Sequence, residues 1–235
     1  LMEEQPRLGF VFVIGRSPQD LSVDISFSWK AAHHKRVSVL DEGNTRALIT
    51  LAERQGTLRF AADAVTAIWE LTGGHPLLTQ LLCQIIWTKV HPLSDDKEPM
   101  PFVELKTALA AAEEIVSEHG QSIFQWIWRG LPSAEKIIFA VMAEATTNKT
   151  AVGRTELLAL LQKNGLRLLT RELEEAPRYL VEWDLLRKTA AGYVFPVELL
   201  RRWIVSNKPI SSVKDEVANN DPIVKSLYES AEGFY

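Results

Sequence analysis

The stretch Leu71-Thr72-Gly73-Gly74-His75-Pro76-Leu77-Leu78 limits the fold more than any other part of this chain. Before it, Ala64, Val65, Ile68 and Leu71 form the apolar stripe of a helix running from Ala61 to Thr72. Two consecutive glycines stop that helix, because glycine enters left-handed backbone without a Cβ penalty. Pro76 then suits the first turn of a second helix, where its missing N–H breaks no hydrogen bond. The second helix carries Leu77, Leu78, Leu81, Leu82, Ile85 and Ile86, so it belongs at the centre of a helical bundle.

Upstream, Leu8-Gly9-Phe10-Val11-Phe12-Val13-Ile14-Gly15 is a continuous apolar, β-branched and aromatic run. It reads as a strand buried on both faces, as in a parallel sheet. Such a strand needs neighbours, and Arg36-Val37-Ser38-Val39-Leu40 is the one further candidate nearby. The shortage leads to the expectation that the chain begins partway through a domain. Thr45 to Gln55 reads as an amphipathic helix closed by Gly56. His91 to Pro101, with Pro92, Pro99 and Pro101, reads as a surface loop. Phe102 to His119 is expected to be helical and to close at Gly120, with a short aromatic helix from Ser122 to Arg129.

Leu131-Pro132-Ser133-Ala134-Glu135 reads as a domain boundary. Ser133 is the expected N-cap of a helix running to Ala145, and Thr155 of one closing near Gly165. A third helix spans Leu168 to Trp183, with a break expected at Pro177. Leu185–Lys188 and Tyr193–Phe195 flank Thr189-Ala190-Ala191-Gly192 as a hairpin, and Glu198 to Asn207 forms another helix. Three helices followed by a hairpin is the order of a winged helix. Ile210 to Val217 reads as a polar connector. Asn219-Asn220-Asp221-Pro222 is expected to cap a helix that continues into a further module.

The net charge is −4 with both signs interspersed, so nothing global attracts nucleic acid or an anionic membrane. No apolar run approaches the roughly 20 residues that span a bilayer. The start carries no signal-peptide pattern. A single cysteine, Cys83, excludes an internal disulfide and fits a reducing, cytoplasmic compartment. Cys83 lies on the apolar helix and reads as an inert packing residue rather than as a catalytic partner of His75. His33 and His34 are adjacent and no second cysteine supports Cys83, which excludes a zinc site. Glu113-Glu114 reads as a solvated helical face. Trp126, Trp128 and Trp203 are expected to glue the helical corner region to the winged helix.

The order of apolar strand ending in Gly15-Arg16, helical pair with Gly-Gly-His-Pro, then winged helix resembles the STAND-class AAA+ NTPases. Thr72–Leu78 and Phe195-Pro196-Val197-Glu198-Leu199-Leu200-Arg201-Arg202-Trp203-Ile204 look like segments of their bacterial and archaeal signalling members. The resemblance covers about residues 8 to 208. It implies a mainly α chain in four parts. Residues 1–56 would be the C-terminal remnant of an α/β nucleotide-binding core, 57–130 a helical lid bundle, and 131–209 a winged helix with a small β-hairpin. Residues 210–235 would link to a further helical module. The resemblance also implies that Arg16 senses the terminal phosphate and that Gly74, His75 and Pro76 pack against the adenine. An arginine anchoring a surface turn, and a helix–turn–helix corner without ligand, would use the same residues.

No G-x-x-x-x-G-K-[ST] occurs, and no apolar strand ends in paired acids. The implied role is therefore regulatory. ATP or ADP would bind the intact protein, with Mg held by residues outside this chain. The fragment alone would bind nucleotide weakly or not at all and would not turn it over. The implied partners are an N-terminal NTPase core and, through a C-terminal extension, further copies or other proteins; no membrane is implied. Two alternatives remain: a winged-helix DNA-binding regulator, and a plain protein-interaction scaffold. The stretch Arg167 to Trp183 weakens the first, because Glu172, Glu174, Glu175 and Glu182 outnumber its arginines.

Overall fold

The computed structural model describes residues 35–91, 100–146 and 150–220. The run Leu8–Gly15, Arg16, most of the His91–Pro101 loop and the helix expected after Pro222 lie outside them. The described chain is mainly helical, with two small two-stranded sheets.

The first group of elements surrounds the Gly-Gly corner. Helix α1 (Glu42–Ile49) starts before Thr45 because Asp41 caps it, its carboxylate accepting from the Asn44 amide at 2.7 Å. A single turn, α2 (Leu51–Arg54), follows and ends near Gly56. Strand β1 (Arg59–Phe60) leads into α3 (Ala62–Thr72), and α4 (Pro76–Val90) follows the corner. Strand β2 (Phe102–Val103) lies parallel to β1 and leads into α5 (Leu105–Glu114). Phe102 is thus extended rather than helical. The helix passes at Ile115 into a π-helical segment (Ile115–His119) that closes at its C-cap Gly120, and α6 (Gln121–Arg129) begins directly after it. Helices α3, α4 and α5 pack pairwise around Ala64, Ile68, Leu78, Leu82, Ile86 and Ala108. Arg36–Leu40 forms no strand; the Leu40 amide donates instead to the Gly74 carbonyl at 2.8 Å.

The second group is built around α7 (Ser133–Ala145), which buries every residue from Ile137 to Ala143. A helix apolar on all sides must be enclosed. It is enclosed by α8 (Arg154–Lys163), α9 (Thr170–Glu182), α10 (Glu198–Asn207) and α11 (Ile210–Asn220). Pro132 and Gly153, not Ser133 and Thr155, occupy the N-cap positions of α7 and α8, and neither makes a side-chain cap. Pro177 lies inside α9 without ending it. Its ring removes one backbone bond, but the buried stripe Leu173, Ala176, Pro177 and Leu180 on α9 offsets that loss as α9 packs on α7. Strands β3 (Arg187–Thr189) and β4 (Gly192–Val194) form the expected antiparallel hairpin. Val152, between α7 and α8, adds a bridge to Tyr193, with both backbone bonds formed at 2.8 and 3.0 Å.

Ile210–Val217 is helix, not connector. Val213 and Val217 are buried as α11 packs on α7. Between them Glu216 accepts from Trp128 Nε1 at 3.1 Å, Lys136 Nζ at 2.9 Å and Lys208 Nζ at 3.1 Å. Burial pushes the Glu216 carboxyl up, but these three donors outweigh it and hold its pKa below the usual carboxylate value. Its stabilising contribution is therefore present above the unfolded-state pKa and lost as pH falls through the lowered one. Discounted for solvent screening, Glu216→Ala is expected to cost about 1–2 kcal/mol, read as a lower urea midpoint at neutral pH. The difference from the parent chain should shrink in acid.

Helix α10 joins the two groups, packing on α3, on the π-helical segment and on α7. Trp203 is fully buried, lies 5.7 Å from the Phe124 ring and donates to Gln121 Oε1 at 2.7 Å. Trp128 is likewise buried, but Trp126 is 76% exposed and glues nothing. Phe124 and Trp128, four residues apart, share the inner face of α6, which turns Trp126 outward. Glu198, also buried, accepts from Arg201 through both oxygens at 2.7 Å and from Arg202 Nε at 3.1 Å. Arg201 Nη1 reaches the Ala143 carbonyl at the end of α7, and Arg202 Nη1 reaches Glu113 on α5. Buried residues of both groups form one hydrophobic cluster, and Leu131-Pro132 is a short bend leading into α7 within the compact unit that begins at Ser38. No helix among the described residues is long and apolar enough to cross a membrane.

Candidate functional site

The corner between α3 and α4 is held from inside. Gly73 and Gly74 both adopt left-handed backbone, with φ of +56° and +77°. Gly73 N donates to Trp69 O and His75 N to Thr72 O. The buried Thr72 and Thr79 hydroxyls meet at 3.0 Å across the corner. His75 is the N-cap of α4: its Nδ1 accepts from the Leu78 amide at 3.4 Å, and its carbonyl accepts from Thr79 N at 2.9 Å. Pro76 takes the first helical position, as its ring favours.

The glycines also make room for two other backbones. A Cβ on Gly73 would lie 2.1 Å from the Pro196 carbonyl oxygen, just before α10. One on Gly74 would lie 2.1 Å from the Leu40 carbonyl oxygen and 2.7 Å from the Trp69 ring. The close approach expected of a flat ligand is made, on these sides, by the protein itself. Leu40 ends the strand candidate Arg36–Leu40 and Pro196 lies in the family-like segment Phe195–Ile204, but nothing local in the sequence places either against the corner.

A third neighbour is Asp184, in the turn that ends α9. Trp183 N bonds to Tyr179 O, Asp184 N to Val181 O and Leu185 N to Leu180 O, with Asp184 at φ +59°. This is the left-handed helix stop that glycine ordinarily fills. Asp184 is the one non-glycine residue with positive φ among those described. Its carboxylate accepts from Ser38 Oγ at 2.7 Å. Burial pushes the His75 imidazole below its ordinary pKa, against a backbone hydrogen bond and the Asp184 charge, which pull it up. The ring is therefore neutral at pH 7, as its cap on the Leu78 amide requires. An aspartate directly after Trp183, where a helix stops, was the available clue.

Of the sequence-predicted site residues, Gly74, His75 and Pro76 sit together at the opening of α4, and Arg16 lies outside the described residues. The corner offers the His75 ring and the Leu77 amide, which has no backbone partner among the described residues. Cys83 packs against the core, and burial pushes its thiol up to about 12, so it is inert at neutral pH. Glu113 is paired with Arg202 and Glu114 with Lys89 and His119. A shallow depression of about 460 Å³, lined by Ala61, Asp63, Glu104, Leu105, Lys106 and Leu109, shares no residue with the corner. Among the described residues, no group of three or more His, Cys, Asp or Glu is placed to hold a metal.

The surface of α9 is tied up in ion pairs. Arg171 pairs with Glu175, Arg178 with Glu182, and Arg154 of α8 with Glu174. Arg201 and Arg202 serve Glu198, whereas Arg187 and Lys188 on β3 are exposed. Glu135, at the start of α7, has its pKa raised by burial and by the charges of Glu172 and Glu175, which marks this side as acidic.

No family model matches the sequence, and no curated protein matches it.

Proposed function

We propose that the chain is the lid and winged-helix portion of a STAND-type, cytoplasmic ATPase switch that senses nucleotide without hydrolysing it alone. In this reading the Gly-Gly-His-Pro corner, α3, α4, α5 and α6 form the lid of residues 57–130. The group α7, α8, α9 with the Val152 bridge and the β3–β4 hairpin is the winged helix of residues 131–209. The residues before about 56 belong to the end of a nucleotide-binding core, and α11 leads toward a further module. ADP in the intact protein would hold core, lid and winged helix in a closed, silent state. Exchange to ATP, with its Mg held by residues outside this chain, would loosen the winged helix and expose a surface for self-assembly. Arg16 would report the terminal phosphate. This is a two-state element biased by ligand contacts.

One observation supports the reading most. The approach to α1, the approach to α10 and the corner itself meet backbone against backbone at Gly73 and Gly74. A ligand that displaces any one of these segments by an ångström must disturb the others, because packed interiors do not deform continuously.

The test is cross-linking of the intact protein with an azido-adenine ADP analogue, followed by peptide mapping. The expected adduct falls in the segment from Gly73 to Leu78 and is lost in excess ADP. Adducts that avoid this segment, or that ADP does not compete away, would contradict the reading. The DNA-binding alternative has less support, because Arg201, Arg202 and the arginines of α9 are engaged with carboxylates. A salt-dependent mobility shift of duplex DNA would favour it. A melting temperature indifferent to both nucleotide and DNA would favour a plain scaffold.

A further inference from the structure

Ser38–Leu40 is stitched at both ends. The Leu40 amide donates to the Gly74 carbonyl at 2.8 Å, and Ser38 Oγ donates to the Asp184 carboxylate at 2.7 Å. Two extended residues span about 7 Å at most, so this short stretch connects the corner directly to the end of α9. We propose that Ser38–Leu40 is a strap holding the Gly73–Pro76 corner to the turn after α9, and that Asp184 is its catch.

The backbone of Asp184 is the second, independent observation. A left-handed residue at a helix end carries a steric cost in every side chain with a Cβ, and glycine would avoid it. Glycine would also remove the carboxylate that receives Ser38. The Ser38 bond acts on Asp184 through its side chain, and strain kept at one point marks a site where geometry matters. The stitch is placed to open. Ser38 is exposed, so water can replace its hydroxyl bond without disturbing Ile138, Leu199 or Trp203 in the core. Such an opening is local, not global. The same carboxylate acts on His75, the cap of α4, so the catch and the helix opening share one electrostatic setting. In the nucleotide-switch reading, on which this consequence rests, release of the strap carries an event at the corner to the second group of helices.

Three variants of the full chain test the strap without nucleotide: Ser38→Ala, Asp184→Gly and Asp184→Asn. The readouts are amide exchange at Leu40 and the titration of His75 by NMR. Ser38→Ala and Asp184→Gly should each speed Leu40 exchange by about fivefold or more, the loss of one ordinary hydrogen bond, with the Ile138 and Leu199 amides unchanged. Asp184→Asn tolerates the left-handed backbone and keeps an acceptor, so Leu40 stays slow while the His75 pKa falls. Unchanged Leu40 exchange in Ser38→Ala overturns the proposal. So does an Asp184→Gly chain that only melts higher, as relief of strain alone would give. Because no nucleotide is present, a failed strap leaves the cross-linking test of the corner standing, and the reverse also holds.

Discussion

Gly73→Ala is expected to destabilise the chain by about 3 kcal/mol or more, enough to leave a marginal domain largely unfolded. Two effects add. The new Cβ meets left-handed backbone at φ +56°, which costs about 1–2 kcal/mol by itself. It also arrives 2.1 Å from the Pro196 carbonyl oxygen and 2.6 Å from its carbon. Backbone cannot escape by changing rotamer, so the approach to α10 must move. Moving it disturbs Trp203 against Phe124 and the Glu198 cluster together. Gly56→Ala is the control. Its φ is +69°, but a Cβ there meets nothing within 4 Å, so only the backbone cost of about 1–2 kcal/mol applies. Urea unfolding of the two variants separates the effects. Equal losses would mean that Gly73 serves only to turn the chain.

Glu198→Gln should be comparably damaging, at about 3–5 kcal/mol, because it leaves the guanidiniums of Arg201 and Arg202 without their carboxylate. Arg201 is itself 14% exposed and caps the Ala143 carbonyl near the negative end of α7. The loss should therefore loosen α7 as well as α10. The pH dependence has a definite sign. Burial pushes the Glu198 carboxyl up, but the hydrogen bonds and charges of Arg201 and Arg202 outweigh it, and its pKa lies below the usual value. The contribution is present above the unfolded carboxylate pKa of about 4.3 and disappears as pH falls through the lowered value. Unfolding curves from pH 7 downward should show the parent chain losing stability faster than Glu198→Gln below that point. Parallel curves would show that the cluster carries no linked proton.

Helix-scale periodicity made most of the element order readable. Gly73 ends α3 and Pro76 opens α4 where the sequence places them, and Glu198–Asn207 coincides with its expectation. The hairpin was legible because Gly192 sits between two short apolar-flanked runs, although its reason is nonlocal: a Cβ there would strike Val152 O at 2.3 Å. The misses share that character. Ile210–Val217 looks polar because the partners of Glu216, Trp128 and Lys136, are far away in sequence, and three apolar residues, Ile210, Val213 and Val217, mark its inner side. Pro177 signals a break that the burial of α9 overrules. Ser133 and Thr155 are good capping residues that the chain places one and two residues inside positions held by Pro132 and Gly153. The pair β1–β2 is two residues long on each side, below any periodicity. At the corner, the glycines, His75 and Pro76 were visible. Leu40, Pro196, Ser38 and Asp184 reach it only through tertiary folding.

In the proposed switch the corner is a joint whose neighbours move with bound nucleotide. The most direct measurement is amide exchange of the intact protein without nucleotide, with ADP and with a non-hydrolysable ATP analogue. ADP is predicted to slow exchange at Leu40, Leu78 and Arg201, whose amides lie at the strap, at the His75 cap and at the start of α10. The ATP analogue is predicted to leave them faster than ADP does. Identical exchange at these three amides in all three conditions would contradict the account.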